Sequence, residues 1–437
     1  MKTIHTLLSL LLLSGNTWAQ SFNIPPPPQA GPVVLKNANI YPVSGPAIAL
    51  GSIRFEAGKI SAIGATVDES GAQVEDLKGL RIYPGLIDAN SSVGLFEVDS
   101  VRGTVDTAEV GPFNPNVRAQ VAINPDSEQF AVARANGLLA ALVTPQPGAS
   151  GILTGTSALV KFDGWTFESM TLKAPVAMHI TWPQTNLPAW LPAPVREAAI
   201  KAAQDNLSRL ETLFKDAESY AALKKAKRLE HSNLRLEALV PAVEGVLPVF
   251  FHVHDQAQIR AALQFASKHK LRAVLVGAKD AWRVLDLIKA ANVPVIIGGT
   301  HVEPIRRDEP YDTAFVNPLK LFEAGIPFAI AMQGDTFSTS LARNLPYHAA
   351  TAASFGLPPD EALKAITLYP AQILGVDDQI GSLAVGKQAT FFLIDGDPLE
   401  VRSLVSRAFV QGREIPLTNR QSELNRKYTE KYTQPKE

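Results

Sequence analysis

Val249-Phe250-Phe251-His252-Val253-His254-Asp255 opens the stretch on which the fold turns. An apolar run ends in two histidines and an aspartate. A helical segment follows, with Ile259, Ala262, Leu263 and Ala266 on one face. Next come a strand-like Ala273-Val274-Leu275-Val276, a helix carrying Trp282, Val284, Leu285 and Ile288, and another apolar strand reaching Ile297. A further helix leads to an apolar run ending at Ala331. Nearly continuous apolar strands that alternate with amphipathic helices predict a parallel sheet, since a strand buried on both faces has no polar side to show.

Outward from this core the pattern changes on both sides. Residues 32–83 read as short strands punctuated by Gly51, Gly58 and Gly64, and residues 379–418 revert to the same style around Gly386 and Gly396. The expectation is an α/β protein in which a small β-sandwich, built from 32–83 and 379–418, flanks a core over 84–378. A charged stretch from Ala193 to Glu230 repeats Leu207, Leu210, Phe214 and Ala217, as one or two long surface helices do. Residues 419–437 are polar and read as a loose tail.

The chain has 437 residues, 46% of them apolar and 19% charged, which is a globular composition. A formal net charge of -1 argues against gripping nucleic acid through bulk charge. Cysteine is absent, which removes disulfides, a thiolate nucleophile and Cys-ligated zinc. Residues 1–19 read as a signal peptide: Lys2 and His5 precede the run Leu7–Leu13, and Ala19 ends it. Export to the periplasm or beyond is therefore expected. Pro25 to Pro28 stiffen a linker over 20–31, and no membrane anchor is expected in the mature chain.

Two segments resemble the amidohydrolase superfamily. One is Tyr83-Pro84-Gly85-Leu86-Ile87-Asp88-Ala89-Asn90-Ser91-Ser92, similar to the family's first barrel strand. The other runs from Glu361-Ala362-Leu363 through Thr367-Leu368-Tyr369-Pro370-Ala371 and Ile380-Gly381-Ser382-Leu383 to Asp395-Gly396-Asp397-Pro398, similar to the family's return into its β-sandwich. Within the superfamily the chain looks most like exported imidazolonepropionase-like members. The resemblance implies a (β/α)8 barrel whose chemistry sits at the C-terminal strand ends. There the family holds one or two divalent metals, which activate water and polarise a carbonyl. Its ligands are a His-x-His pair on strand one, Lys or Glu on strand four, His on strands five and six, and Asp on strand eight.

Several of those positions depart from the pattern. Asn90 and Ser92 stand where the two strand-one histidines would be, and Gly277 stands at the strand-six histidine. Amide and hydroxyl groups are poor zinc ligands. On strand five, His252 matches the ligand and His254 a neighbour, with a hydrogen-bonded wall histidine as the alternative. His179 falls near the strand-four position and reads either as a ligand or as a packed core histidine. Asp335 follows an apolar strand and a glycine, as the strand-eight aspartate does; the alternative is a helix cap.

His301, Arg306 and Arg343 are candidate substrate contacts, Arg306 because a guanidinium pairs bidentately with a carboxylate; the alternatives are a solvated mixed-charge loop with Glu303, Asp308 and Glu309, and an Arg343 that shapes the site without acting in it. His231, His269 and His348 read as structural. The resemblance thus implies a hydrolase of a non-peptide C–N bond in a small molecule. Its metal site would be reduced to His252, His254, His179 and Asp335, holding one divalent ion, zinc before others, or none. The alternative is a pseudoenzyme that binds a small ligand or partner without turnover.

Overall fold

The computed structural model describes residues 24–149, 151–188 and 190–434; residues 1–19, read as a signal peptide, lie outside them. Short strands near both chain ends pair into one sheet. They are β1 (Val33–Ile40), β2 (Ile48–Glu56), β3 (Lys59–Gly64), β4 (Gln73–Asp76) and β5 (Arg81–Pro84). The core follows with β6 (Leu86–Ser91), β7 (Leu138–Val143), β8 (Leu153–Thr156), β9 (Ala158–Lys161) and β10 (Thr171–Lys173). It continues through β11 (Met178–Thr181), β12 (Val249–Val253), β13 (Ala273–Gly277), β14 (Val295–Ile297) and β15 (Phe328–Ile330). The chain then returns as β16 (Phe391–Ile394), β17 (Val405–Val410) and β18 (Arg413–Ile415).

The terminal strands run in the order β18-β17-β16-β5-β1-β2-β3, with β4 also on β1. The sandwich expected there is therefore hydrogen-bonded as one eight-stranded sheet. Irregularities in β1 between Leu35 and Ile40 increase its local twist. Leu35, Ile53, Phe55, Ile82, Phe391 and Phe409 give this unit its own core.

In the α/β core, β6 pairs β7, and β11 to β15 pair in succession, all parallel. Between these groups the chain runs in reverse: β9 is antiparallel to β7, and β8 is antiparallel to β11. A regular β/α repeat has a parallel strand at that point. Side-chain alternation sorts the core into two layers. Leu142, Phe250, Val274, Val276, Ile296 and Ala329 meet in one cluster, while Phe251, Val253, Leu275 and Ile297 face the helices.

The helix Gln256–Lys268 buries Ile259, Ala262, Leu263 and Ala266, the residues its spacing selects, each large one contributing about 1.5–3 kcal/mol. Asp255 and Gln258 form a capping box at its start. The charged stretch is one helix, Ala193–Lys225, which buries Leu210, Phe214 and Ala217. The expected loose tail is instead a helix, Arg420–Thr433, started by an Asn419/Ser422 capping box although it buries nothing. No helix among the described residues is long and apolar enough to cross a membrane.

Candidate functional site

Parallel pairing sets Thr181 beside His252 and His179 beside Phe250, so two histidines from adjacent strands face the interior together. Nδ1 of His179 lies 2.9 Å from Nε2 of His252. His179 is fully buried, and its Nε2 has no hydrogen-bond partner among the described residues. Burial, with the His252 ring nearby, holds His179 well below the usual histidine value. Burial and then His254 push His252 down to about 4. At neutral pH both rings are uncharged, and the pair shares one proton across its contact.

Two residues on, the chain leaves β12 and presents His254 to a cleft of about 230 Å³. Solvent reaches the residue, yet protein packs densely about its ring. Burial and the Lys279 ammonium push it down to about 4, against an opposing effect of Asp255. The ring lies over Gly277. A Cβ there would stand 2.8 Å from His254 Cε1 and Nδ1, and the glycine has φ +89°. Gly277 is therefore more than a missing ligand: the space a side chain would fill holds the His254 ring.

The first-strand positions follow the same rule. An irregularity in β6 between Asp88 and Ser91 sets Asn90 toward its neighbours. Thr144 Oγ1 donates to Asn90 Oδ1 at 3.3 Å, and Asn90 Nδ2 donates to Met332 O at 3.3 Å. A Cβ on Gly334 would come within 2.6 Å of the Asn90 amide. Ser92 is bonded through its backbone N and its hydroxyl to Thr339 Oγ1, each at 3.1 Å. Asp88 is fully buried; its Oδ1 accepts from Met332 N at 2.9 Å and Asn90 N at 3.2 Å, tying β6 to the end of β15. Burial raises its carboxyl to about 7 against those hydrogen bonds, and Oδ2 has no hydrogen-bond partner among the described residues.

Asp335 serves both readings. It caps the short helix Thr336–Ser340, with Oδ1 accepting from Ser338 N at 2.9 Å, and it is exposed in the wall of the His254 cleft. Gln333 and Lys279 line the same cleft. The sequence reading missed both, along with Asp88 and Thr144. Only their places at strand ends could have flagged them.

The other expected contacts go elsewhere. Arg306 forks onto buried Asp280, at 3.0 and 2.7 Å, and also pairs with Glu309. Its guanidinium is thus taken up inside the protein and is not offered to a substrate carboxylate. His301 Nε2 lies 2.7 Å from Thr351 Oγ1 and its ring rests 4.1 Å from that of His348. His348 Nδ1 accepts from Thr300 N and His301 N, and burial pushes it down to about 3. Arg343 is exposed and does not line the cleft; its carbonyl accepts from Asn136 Nδ2. His269 sits between Glu218 and Glu211, as a structural histidine does.

A catalytic zinc needs about three protein ligands and an open position. Among the described residues no three His, Asp or Glu side chains gather into a metal-holding group. His179 Nδ1 and His252 Nε2 face each other, the Asn90 carbonyl is engaged by Thr144, and Gly277 offers nothing. These residues do not fit the metal centre that the first-strand resemblance implies.

The amidohydrolase family model matches residues 196–415. Imidazolonepropionase from Shewanella baltica is 38% identical over 81 residues, which is 18% of this chain and 20% of the relative. The matched stretch thus spans about a fifth of the length of that curated relative. An amidohydrolase from Thermotoga maritima superposes with a TM-score of 0.78 at 23% identity, over 89% of this chain and 100% of that one. A molinate hydrolase superposes at 0.52 with 15% identity, covering 89% of this chain and 95% of its own. At such identities the likeness speaks to fold: a TIM barrel with a β-rich domain.

Proposed function

Because the chain belongs to the amidohydrolase family, we propose that it hydrolyses an amide or cyclic amide C–N bond, other than a peptide bond, in a small molecule. The observation that carries this is the meeting of His254 and Asp335 in one cleft at the ends of the parallel strands. Oδ2 of Asp335, with no protein hydrogen bond among the described residues, accepts a proton from the attacking water and returns it to the departing nitrogen. His254, neutral at pH 7, offers a ring nitrogen to the same water. No step runs through a metal, since the donor set does not fit one. The same reading takes the core as a (β/α)8 barrel with its third position reversed, and the protein as exported; cell fractionation tests the latter.

The test is incubation of the purified protein with a panel of N-acyl amino acids and cyclic amides, read by mass spectrometry. The expected result is release of the amine from at least one substrate, abolished in Asp335→Asn. Unchanged turnover in that variant removes Asp335 as the base. A second reading, ligand binding without turnover, is favoured by Asn90, Ser92 and Gly277 at donor positions. It prevails if members of the panel bind and none is cleaved.

A further inference from the structure

The cleft that holds His254 and Asp335 also carries charge that the protein itself leaves unanswered. Lys279 lines it and makes no salt bridge or hydrogen bond among the described residues. Its charge is nonetheless felt by the neighbouring His254. Glu303 lines the same space, also without a partner among the described residues, and Asp335 has Oδ2 free. The remaining acid, Glu309, is already answered by Arg283 and Arg306. One cation and two carboxylates thus share a space of about 230 Å³ without pairing.

The backbone is held so as to present that lysine. Gly277 and Ala278 both have positive φ, +89° and +39°, and at the fully buried Ala278 a side-chain-bearing residue pays for the left-handed region. Ala278 N donates to Val253 O at 2.6 Å, and Asn317 Nδ2 reaches Ala278 O at 3.4 Å. Asp280 N then donates to His254 O at 2.9 Å, closing the turn. Asn317 is 2% exposed and lines the cleft, and its Oδ1 is a buried acceptor without a donor among the described residues. Strain of this kind persists where surrounding structure fixes it, and a buried orphan acceptor calls for a missing donor.

We propose that Lys279 is the specificity-determining residue of this cleft, selecting amides of single-residue size that carry a free carboxylate at one end and an N–H donor at the other. The carboxylate pairs with the Lys279 ammonium; the N–H end faces Glu303, Asp335 and Asn317. The proposal rests on the C–N hydrolase reading for the substrate's amide and extends it by naming the second group that the substrate bears.

Binding separates the two ideas, because it needs no turnover. The full-length protein is titrated, by ligand-observed NMR, with 5-oxoproline and N-acetylglycine. Their carboxylate-free counterparts, 2-pyrrolidinone and N-methylacetamide, serve as controls. The expected result is at least about tenfold tighter binding of the carboxylates, which is the worth of one charge-assisted hydrogen bond. Lys279→Met loses that advantage, whereas Lys279→Arg keeps most of it. Equal binding of acids and neutral amides, no binding of either acid, or an unaltered preference in Lys279→Met overturns the proposal. Carboxylates bound through Lys279 and never cleaved overturn the hydrolase reading alone. Neutral amides cleaved equally well by wild type and Lys279→Met overturn the carboxylate site alone.

Discussion

Nδ1 of His179 and Nε2 of His252 meet at 2.9 Å, with the remaining nitrogen of His179 buried and unpartnered among the described residues. One ring donates and the other accepts, so a second proton on the pair would place a charge beside the partner ring in a site that burial already makes unfavourable for it. Both groups are held below their unfolded value of 6.5, His252 at about 4. Between those values the unfolded chain binds more protons than the folded one. Their stabilising contribution is complete above pH 6.5 and is lost as pH falls toward 4. Asp88, raised to about 7, acts in the opposite sense, so the difference between variants is the cleaner readout. His252→Gln is expected to flatten the fall in Tm between neutral pH and about 4. An identical slope in the variant would remove His252 from this account.

Gly277→Ala tests the contact that replaces the strand-six side chain. The new methyl would lie 2.8 Å from the His254 ring, against a backbone with φ +89°. Overpacking and the left-handed conformation together are expected to cost about 1–3 kcal/mol. The ring must also leave its place, so binding in the cleft should weaken beyond what the stability loss explains. Urea unfolding reads the first effect and ligand titration the second. An unchanged midpoint would mean that the ring does not rest there.

Asp335 has two jobs that substitution can separate. Asparagine caps a helix about as well as aspartate, whereas alanine costs about 1 kcal/mol. Asp335→Asn should therefore keep the Tm and lose hydrolysis, and Asp335→Ala should lose both. If Asn lowers the Tm as far as Ala does, the carboxylate charge matters to the fold and its loss of activity says nothing about proton transfer.

The parts legible in the sequence were those set by periodicity. β12, β13 and β14 stand where apolar runs alternate with one-sided helices, and the helix after Asp255 buries the four residues its spacing selects. The reversed strand Ala158–Lys161 carries the same apolar signature in either direction, so its sense could not be read. The helix Arg420–Thr433 buries nothing, leaving no apolar stripe to find; only its capping residues announce it. Arg306 looked available because Asp280, its partner, is 26 residues away. Lys279 and Asn317 drew no notice because an isolated lysine and a helical asparagine gain meaning only when strand ends gather them around one space. Asn90 and Gly277 were visible as departures, but not their cause: each is matched to a group far along the chain, Asn90 to Gly334 and Gly277 to His254.

That pairing of departures bears on metal binding. A metal that binds only the folded state raises the Tm by mass action, in proportion to RT ln(1 + [L]/Kd), so even a modest site shows in a thermal melt at excess ion. Asn90 is buried and bonded on both sides of its amide, which rests against Gly334 where even a Cβ would not fit. Zinc, manganese or cobalt is therefore expected to leave the Tm of the chelator-treated protein unchanged, and elemental analysis should find well under one ion per chain. Asn90→His with Ser92→His should cost about 1–3 kcal/mol by overpacking and still give no metal-dependent shift. A rise in Tm with zinc in the wild type that His252→Gln abolishes would show that His179 and His252 part to take the ion, and that the two-histidine contact is the resting form of a metal site.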